Sequence, residues 1–311
     1  MSPLRPMDQA HPTDRTTGRR EPALPKIGLN LVQVPAARIA EAAVLAEQLG
    51  FESVWLGEHV AVPARIESPY PGRQRPFDIE SPFLEPLVTL AHLAAATSRI
   101  RLGTSVIILP ARDFVFTARA LTTLDVLSGG RLEIGAGVGW MREGYEIAGR
   151  DFARRGLRMD EMLQALGRVF TDSRPEFHGR FIDFPEIGFE PKPVQPGGPR
   201  IHLGGSSERA ILRTARFADG WLGGSGVPLA DVPGTLERLR DARFGLGRED
   251  PLEISLLRYE ELDRAAVAAA CAVGVHRVVL SPWGRDVHPG GARSLDAIES
   301  MAHRVGLEKV E

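Results

Sequence analysis

The sequence has very few of the residues that build several common kinds of site. Its single cysteine, Cys271, excludes an intramolecular disulfide and makes a cysteine-ligated metal cluster impossible within the chain. This usage is typical of a reducing compartment, so we expect a cytoplasmic protein. Only three lysines occur, Lys26, Lys192 and Lys309, and each lies outside the strand-like runs or at their start. The lack of a strand-borne lysine argues against a Schiff-base aldolase.

Charge of one sign and clustered histidine are also missing. The 38 basic residues nearly balance the 40 acidic ones, which leaves a net charge of −2 without a basic stripe or an acidic tail. This balance disfavours nucleic acid as a partner. The eight histidines are dispersed and form no His-x-His pair, so we expect no metal site. A chain of 311 residues that is 43% hydrophobic buries a large core and suits a small-molecule ligand.

The start of the chain has no long apolar run. Residues 1–25 contain five prolines and many charged residues, so they match neither a signal peptide nor a membrane span. We expect a disordered arm over 1–25 and a single domain over 26–311.

From residue 26 onward, short strand-like runs alternate with helical periodicity, which indicates repeated βα units and a parallel sheet. The eight predicted strands cover residues 26–32, 53–57, 100–109, 131–137, 200–205, 220–223, 252–257 and 276–281. Eight such units predict a (β/α)8 TIM barrel. The alternative is a doubly wound open sheet, because GAGVGW after the fourth strand looks like a dinucleotide-binding turn. That motif lacks its last glycine, since Trp140 stands there.

Two insertions interrupt the βα rhythm. Residues 58–86 follow the second strand and are rich in proline, and loops of this length are usually lids or linkers. Residues 176–199 precede the fifth strand and contain a hairpin-like pair around Gly179.

In a TIM barrel the active site lies at the carboxyl ends of the strands. The residues at these ends are Asn30, Glu58, His59, Thr104, Ser105, Val106, Gly137, Val138, Gly139, Trp140, Gly204, Gly205, Ser206 and Trp221. A mouth of glycines, small hydroxyls, one histidine and tryptophans suits a large planar cofactor with a phosphate tail better than metal or acid chemistry.

Two glycine segments at these ends have both a structural and a functional interpretation. Gly137, Val138 and Gly139 form an ordinary turn or bring the backbone close to a ring edge or a cofactor tail. Gly204, Gly205 and Ser206 precede a helical run, so Ser206 either caps that helix alone or completes an anion seat with the free amides.

Five segments together resemble the luciferase-like monooxygenase superfamily of flavin-dependent and deazaflavin-dependent (β/α)8 oxidoreductases. They are GFESVWLGEHV, IRLGTSVIILP, LSGGRLEIGAGVGW, EPKPVQPGGPRIHLGGSS and ADGWLG. The resemblance covers roughly residues 26–285, and GEHV, the proline-rich insertion and GVGW are most similar to the deazaflavin branch, whose cofactor is coenzyme F420.

The resemblance assigns roles to individual residues. It implies a bulge in the third strand, with a cis peptide bond between Ser105 and Val106 against one face of the ring, next to Thr104. It also implies that His59 lies beside the redox carbon as an acid or base and that Glu58 contacts the cofactor or orients His59. Trp140 is expected to contact substrate. Sugar-phosphate dehydrogenases of the branch carry a glutamate at that position, so sugar oxidation is not expected here.

These inferences predict an oxidoreductase that moves hydride between coenzyme F420 and a small, mainly apolar organic substrate. The alternative is an FMN-dependent monooxygenase that uses O2 and a partner flavin reductase. A carrier or sensor that binds the cofactor without turnover is a third hypothesis. The resemblance further implies a homodimer, supplied with reduced cofactor by a flavin or F420 reductase.

Overall fold

A closed barrel of parallel strands dominates the computed structural model, which describes residues 24–32, 34–71, 75, 77–284 and 294–310. The strands are β1 (Lys26–Asn30), β2 (Ser53–Leu56), β3 (Arg101–Thr104), β4 (Leu132–Ala136), β5 (Phe177–His178), β6 (Asp183–Phe184), β7 (Arg200–Gly204), β8 (Gly220–Gly223), β9 (Glu253–Arg258) and β10 (Arg277–Leu280). The barrel order is β1-β10-β9-β8-β7-β4-β3-β2, and β5 and β6 form a separate antiparallel hairpin. The (β/α)8 prediction is confirmed, and the open-sheet alternative is wrong.

Helices surround the barrel and return the chain to the start of each next strand. They are α1 (Ile39–Gln48), α2 (Pro86–Ala96), α3 (Phe114–Leu127), α4 (Arg142–Ile147), α5 (Arg155–Thr171), α6 (Glu208–Phe217), α7 (Val232–Gly245), α8 (Arg264–Ala272) and α9 (Asp296–Val305). No described helix is both long enough and apolar enough to cross a membrane. The predicted N-terminal arm lies outside the described residues, apart from Leu24 and Pro25.

The eight barrel strands overlap the eight predicted ones, because most of them are short runs that are largely buried. Every residue of β2, β4, β8 and β9 is buried. Parallel strands covered by helices on the outside have no solvent face, so their sequences lack a polar alternation. The hairpin predicted around Gly179 is also present, with Phe177 opposite Phe184.

The third strand is shorter than predicted. We expected residues 100–109 to form one strand, but β3 ends at Thr104 and Ile107 makes only an isolated bridge to Ala136. Residues 109–111 form a 3-10 turn. Ile107 and Leu109 are nevertheless fully buried. An apolar run indicates that its residues are buried, but it does not show that they pair with a neighbouring strand. The sequence pattern alone therefore predicted a strand that is too long.

The amino ends of the strands close the barrel with buried charges. Arg277, at the start of β10, has a fully buried side chain and pairs with three carboxylates. Its guanidinium lies 2.9 Å from Glu52 Oε1, 3.0 Å from Glu253 Oε1 and 3.6 Å from Glu133 Oε1. Its carbon Cζ also lies 5.3 Å from the ring centroid of Trp55. This arginine therefore joins the starts of several strands into one barrel floor.

Glu133 extends the floor network toward the barrel axis. Its carboxylate also bonds to Arg101 and to the ring Nε2 of His202, which is fully buried. Burial alone raises the pKa of Glu133, but the bond from His202 and the charges of Arg277 and Arg101 hold that pKa far below its usual range. Glu133 is therefore an ionised group inside the barrel, stabilised by the surrounding cations.

Candidate active site

The carboxyl ends of β1, β2 and β3 present buried polar atoms that have no hydrogen-bond partner among the described residues. They are Asn30 Nδ2, His59 Nδ1 and Ser105 Oγ. Asn30 is held in place because its Oδ1 accepts the Val32 amide at 2.9 Å. Buried polar groups in proteins are almost always hydrogen-bonded, so adjacent unpaired ones indicate a place for a polar ligand.

His59 lies among aromatic rings that come largely from the insertion after β2. Its ring centroid is 4.2 Å from that of Phe77 and 4.6 Å from that of Phe83. Trp140 lies 6.5 Å away, and Tyr70 packs 5.2 Å from Trp140. We call Tyr70, Phe77, Phe83 and Trp140 the aromatic cluster. Burial lowers the pKa of His59 to about 4, so its imidazole is neutral at physiological pH.

Glu58 precedes His59 but bonds elsewhere. Its Oε2 accepts the Ile108 amide at 2.6 Å, and its Oε1 pairs with Arg112. Arg112 also pairs with Glu85, at the start of α2. The carboxylate therefore ties the end of β2 to the segment after β3. No contact joins it to His59, and its predicted role in binding a cofactor remains a prediction.

The peptide bond between Ser105 and Val106 is cis, as predicted. Glycines surround it: a Cβ on Gly57 would lie 3.3 Å from Ser105 O, and one on Gly137 would lie 2.9 Å from Val106 Cγ2. A Cβ on Gly204 would lie 3.6 Å from Val106 Cγ1. The ends of β2, β4 and β7 thus converge on this bond, which explains why Gly57 and Gly137 carry no side chain.

Thr104 differs from its neighbour Ser105. It is fully buried, and its hydroxyl donates to Gly135 O at 2.7 Å across the β3–β4 pair. The threonine hydroxyl is therefore used within the sheet, whereas the Ser105 hydroxyl is left for the mouth.

The turn after β4 is supported from below by a tyrosine. Gly139 has a φ of +67°, and a Cβ there would lie 3.0 Å from Ile108 Cγ2. The buried Tyr145 donates its hydroxyl to Val138 O at 2.6 Å. This bond fixes Gly137, Val138 and Gly139 against the segment after β3 and places Trp140 in the aromatic cluster.

The segment after β7 needs one correction. We predicted that Ser206 caps the following helix, but the cap is Ser207, whose side chain accepts the Ala210 amide at 3.3 Å. Gly205 has a φ of +110°, a backbone conformation that favours glycine, and α6 begins at Glu208. Ser206 is left exposed without a capping role, and the Gly205 carbonyl accepts the Trp221 indole N–H at 2.9 Å.

No group of His, Cys, Asp or Glu side chains able to hold a metal occurs in the described part of the chain. The sequence model of the luciferase-like monooxygenase family matches residues 12–272. The chain belongs to this family. Family members are oxidoreductases and monooxygenases, which agrees with the resemblance recognised from the strand-end motifs.

Proteins similar to this luciferase-like chain include sequence relatives and, at lower identity, solved structures that share its fold. An uncharacterised protein of Mycobacterium tuberculosis is 35% identical, over 72% of this chain and 75% of its own length. The FMNH2-dependent dimethylsulfone monooxygenase of Pseudomonas putida is 26% identical, over 67% of this chain and 58% of its own. The coenzyme F420-dependent tetrahydromethanopterin reductase of Methanopyrus kandleri shares the fold, with a TM-score of 0.69 at 16% identity over 91% of this chain and 99% of its own.

Sequence reasoning missed three residues of this luciferase-like site. Asn30 was recognised as a strand end but not given a role, although its buried Nδ2 has no described partner. Tyr145 and Glu143 belong to no recognisable motif. Tyr145 bonds to the turn after β4, and Glu143 bonds to the insertion after β2, and neither contact is visible in the local sequence. An asparagine that ends an otherwise apolar strand is a signal by which Asn30 was recognisable.

Glu143, at the start of α4, binds the insertion after β2. Its carboxylate accepts the amides of Glu67 and Ser68 at 2.6 and 2.9 Å and the Ser68 hydroxyl at 2.7 Å. The Ser68 hydroxyl in turn accepts the Arg142 amide at 2.9 Å. Donation from the Ser68 hydroxyl, the largest cause, lowers the pKa of Glu143 to about 2, so the acceptor stays ionised near neutral pH.

Replacing Glu143 by alanine is expected to free residues 67 and 68. Their amides should exchange with solvent about tenfold faster, because hydrogen bonds to a charged acceptor are stronger than neutral ones. Hydrogen exchange with mass spectrometry of peptides covering residues 60–71 measures this. Glu146→Ala, on the exposed side of the same helix, is the matched control and should leave exchange unchanged. Equal exchange in both variants would show that Glu143 does not hold the insertion.

Proposed function

We propose that this luciferase-like protein is a deazaflavin-dependent oxidoreductase that moves hydride to or from a small, mainly apolar organic substrate. The observation that supports this most is the buried Nδ1 of His59, which has no partner among the described residues and lies beside the aromatic cluster after β2. A neutral imidazole in an apolar pocket is suited to exchange a proton with a substrate oxygen while water is excluded.

The residues at the mouth fit a tricyclic cofactor. Ser105 and Val106 lie where the ends of β2, β4 and β7 converge, and Ser105 Oγ and Asn30 Nδ2 are buried polar atoms without a partner among the described residues. A deazaflavin, when bound, supplies a ring carbon that accepts or donates hydride. We propose that Ser105, Val106 and the turn from Gly137 to Gly139 hold its ring.

His59 manages the proton in this proposal. With its pKa lowered to about 4, the imidazole is neutral at pH 7 and Nδ1 can accept the proton of a substrate hydroxyl during oxidation. In the reverse direction the same nitrogen returns the proton to a carbonyl oxygen. Phe77 and Phe83 pack against the His59 ring and favour an apolar substrate, and Trp140 lies 6.5 Å from the same ring.

The segment from Gly204 to Ser206 is proposed to hold the phosphate of the cofactor. The Gly205 and Ser206 side of the segment is exposed, and the nearest cation in sequence, Arg209, is exposed as well. A terminal phosphate dianion needs charged partners, whereas a phosphodiester that continues outward needs fewer charges and an open exit. An open segment whose nearest cation in sequence is exposed therefore favours the diester of coenzyme F420 over the terminal phosphate of FMN.

This argument predicts that coenzyme F420 binds at least tenfold more tightly than FMN, a difference of about 1.4 kcal/mol. Fluorescence titration of the full-length protein with each cofactor measures both dissociation constants. Equal or tighter binding of FMN contradicts the proposal and favours the FMN-dependent monooxygenase instead. That second candidate is supported by the FMNH2-dependent relative, and it requires O2 and a partner flavin reductase.

We also propose that the protein is a homodimer and that it is cytoplasmic. Apolar side chains are exposed on the first turns of neighbouring helices, Val88 on α2 at 71% and Phe116 on α3 at 80%. Such a surface supports a homodimer in which these helices of two copies meet. The single cysteine supports a cytoplasmic location, where a flavin or F420 reductase would supply reduced cofactor.

A further inference from the structure

Two arginines lie on one phenylalanine at the rim of the mouth without a carboxylate partner in the described chain. The guanidinium carbon of Arg155 is 3.7 Å from the ring centroid of Phe152, and that of Arg142 is 4.8 Å away. Arg155 also donates to Phe152 O at 2.9 Å, while its Nε is buried without a partner. We call Arg142 and Arg155 the arginine pair.

Neighbouring arginines form ion pairs with carboxylates, and the arginine pair differs from them in this respect. Arg213 bonds to Asp160, and Arg154 lies 3.4 Å from Asp151. Acidic partners are thus available in this region, yet none of those in the described ranges forms an ion pair with the arginine pair. Two like charges on one ring repel each other unless an anion comes between them or beside them.

The arginine pair lies at the wrong end of a helix for a cation. Helix α5 is 17 residues long and begins at Arg155, with no acidic residue in its first turn and no side-chain cap. A helix start carries partial positive charge and favours anions, so an arginine there is unfavourable by itself. The helix start and the arginine pair therefore add to the same positive potential at the rim.

This rim is bracketed by the two segments proposed to contact the cofactor. On one side, the Phe152 ring packs 5.4 Å from the ring of Tyr145, whose hydroxyl bonds to Val138 O. On the other side, Gly156 O accepts a bond at 3.2 Å from Arg213 of α6, the helix that follows Gly205. A cofactor tail that leaves the mouth between these segments passes the arginine pair.

We propose that Arg142 and Arg155, stacked on Phe152, form an anion subsite for the glutamate carboxylates that extend beyond the phosphodiester of a deazaflavin. The inference rests on the proposed function, because FMN ends at its phosphate and has no such carboxylates. Planar guanidinium groups bind carboxylates through paired hydrogen bonds, and stacking on an aromatic ring leaves their edges free for this. An acidic substrate would present the same chemistry, so the test separates the two sources.

The test is a fluorescence titration of the full-length protein at low salt with two probes. One is the deazaflavin with several glutamates, and the other is the same deazaflavin ending at its phospholactate. We expect the glutamylated form to bind about five- to tenfold more tightly, since partly exposed ion pairs contribute modestly and additively. Arg142→Gln and the double variant with Arg155→Gln should reduce this difference to less than about twofold.

The control is Arg168→Gln, which removes the same charge from the far end of α5, about 20 Å away. It should keep the difference in affinity. Arg142 is exposed and its guanidinium makes no described hydrogen bond, so its variant should fold even if the Arg155 variant does not. Thermal unfolding of each variant confirms this.

The outcomes separate the two proposals. If neither deazaflavin binds, the proposed function fails and the subsite fails with it. If both forms bind the unmodified protein equally, the proposed function stands and the subsite is overturned. It is also overturned if the variants weaken both forms to the same degree, or if they change only the KM of an acidic substrate.

Discussion

Replacement of His59 by alanine is expected to lower turnover by about 10²–10⁴ while cofactor affinity stays within about tenfold, or about 1.4 kcal/mol. The loss is large because the imidazole is the proposed acid or base, and the rings of Phe77, Phe83 and Trp140 packed around it have no ionisable group. The change in binding is small because Ser105, Val106 and Gly137 are proposed to hold the cofactor ring and are untouched.

The measurement is the single-turnover rate of hydride transfer with small apolar alcohols and ketones, together with a binding titration. His178→Ala is the matched control, since His178 is an exposed histidine on the β5–β6 hairpin that pairs with Asp183. It should leave both quantities unchanged. An unaltered rate in the His59 variant would assign that histidine to structure only.

The same group sets a pH dependence. Burial lowers the pKa of His59 from 6.5 to about 4, so kcat/KM for an oxidation should stay constant from neutral pH down to about 5 and fall near pH 4. His59→Gln should lack this acid limb. Between pH 6.5 and about 4, His59 is protonated in the unfolded chain but not in the folded protein. His59 therefore lowers the stability of the folded protein as the pH falls through this range.

The second large effect concerns stability and comes from the barrel floor. Arg277→Met should lower the free energy of unfolding by about 3–5 kcal/mol, because it leaves the carboxylates of Glu52, Glu133 and Glu253 without their shared cation. Urea unfolding of the variant and the unmodified protein at pH 7 gives this difference. Arg174→Met breaks the exposed pair with Glu186 and should cost less than about 1 kcal/mol.

The loss of stability caused by Arg277→Met should decrease at low pH. For both Glu133 and Glu253, burial raises the pKa, but the surrounding cations outweigh it and hold the pKa below its ordinary value of 4.5. Groups with a lowered folded pKa stabilise the protein above the unfolded pKa and lose that contribution as the pH falls. The difference between the two proteins should therefore be greatest above about pH 5 and shrink below about pH 4.5. A difference independent of pH would show that the loss is one of packing.

The local sequence was sufficient to predict the barrel strands, but not the length of β3 or the cap of the helix after β7. The eight strands were predictable because apolar runs of four to six residues between helical repeats are buried on both faces of a parallel sheet. The length of β3 was not, because Ile107 and Leu109 are as apolar as strand residues, yet Ile107 makes only an isolated bridge and Leu109 lies in the 3-10 turn. The predicted helix cap after β7 was off by one residue, because Ser206 and Ser207 are both serines with equal intrinsic capping preference and the local sequence does not select between them.

The sequence by itself determined the fold class, the family and the strand ends that face the mouth. Periodicity and strand-end motifs are patterns of consecutive residues, so they can be recognised without the tertiary structure. The tertiary structure decided which of those residues remain available to a ligand. It engages Thr104 and Glu58 in bonds within the barrel, and among the described residues it leaves Ser105 Oγ and His59 Nδ1 without a partner. It also brings Arg277 against carboxylates from three other parts of the chain. Hydrogen bonds and ion pairs between remote segments depend on distances that only the folded chain defines.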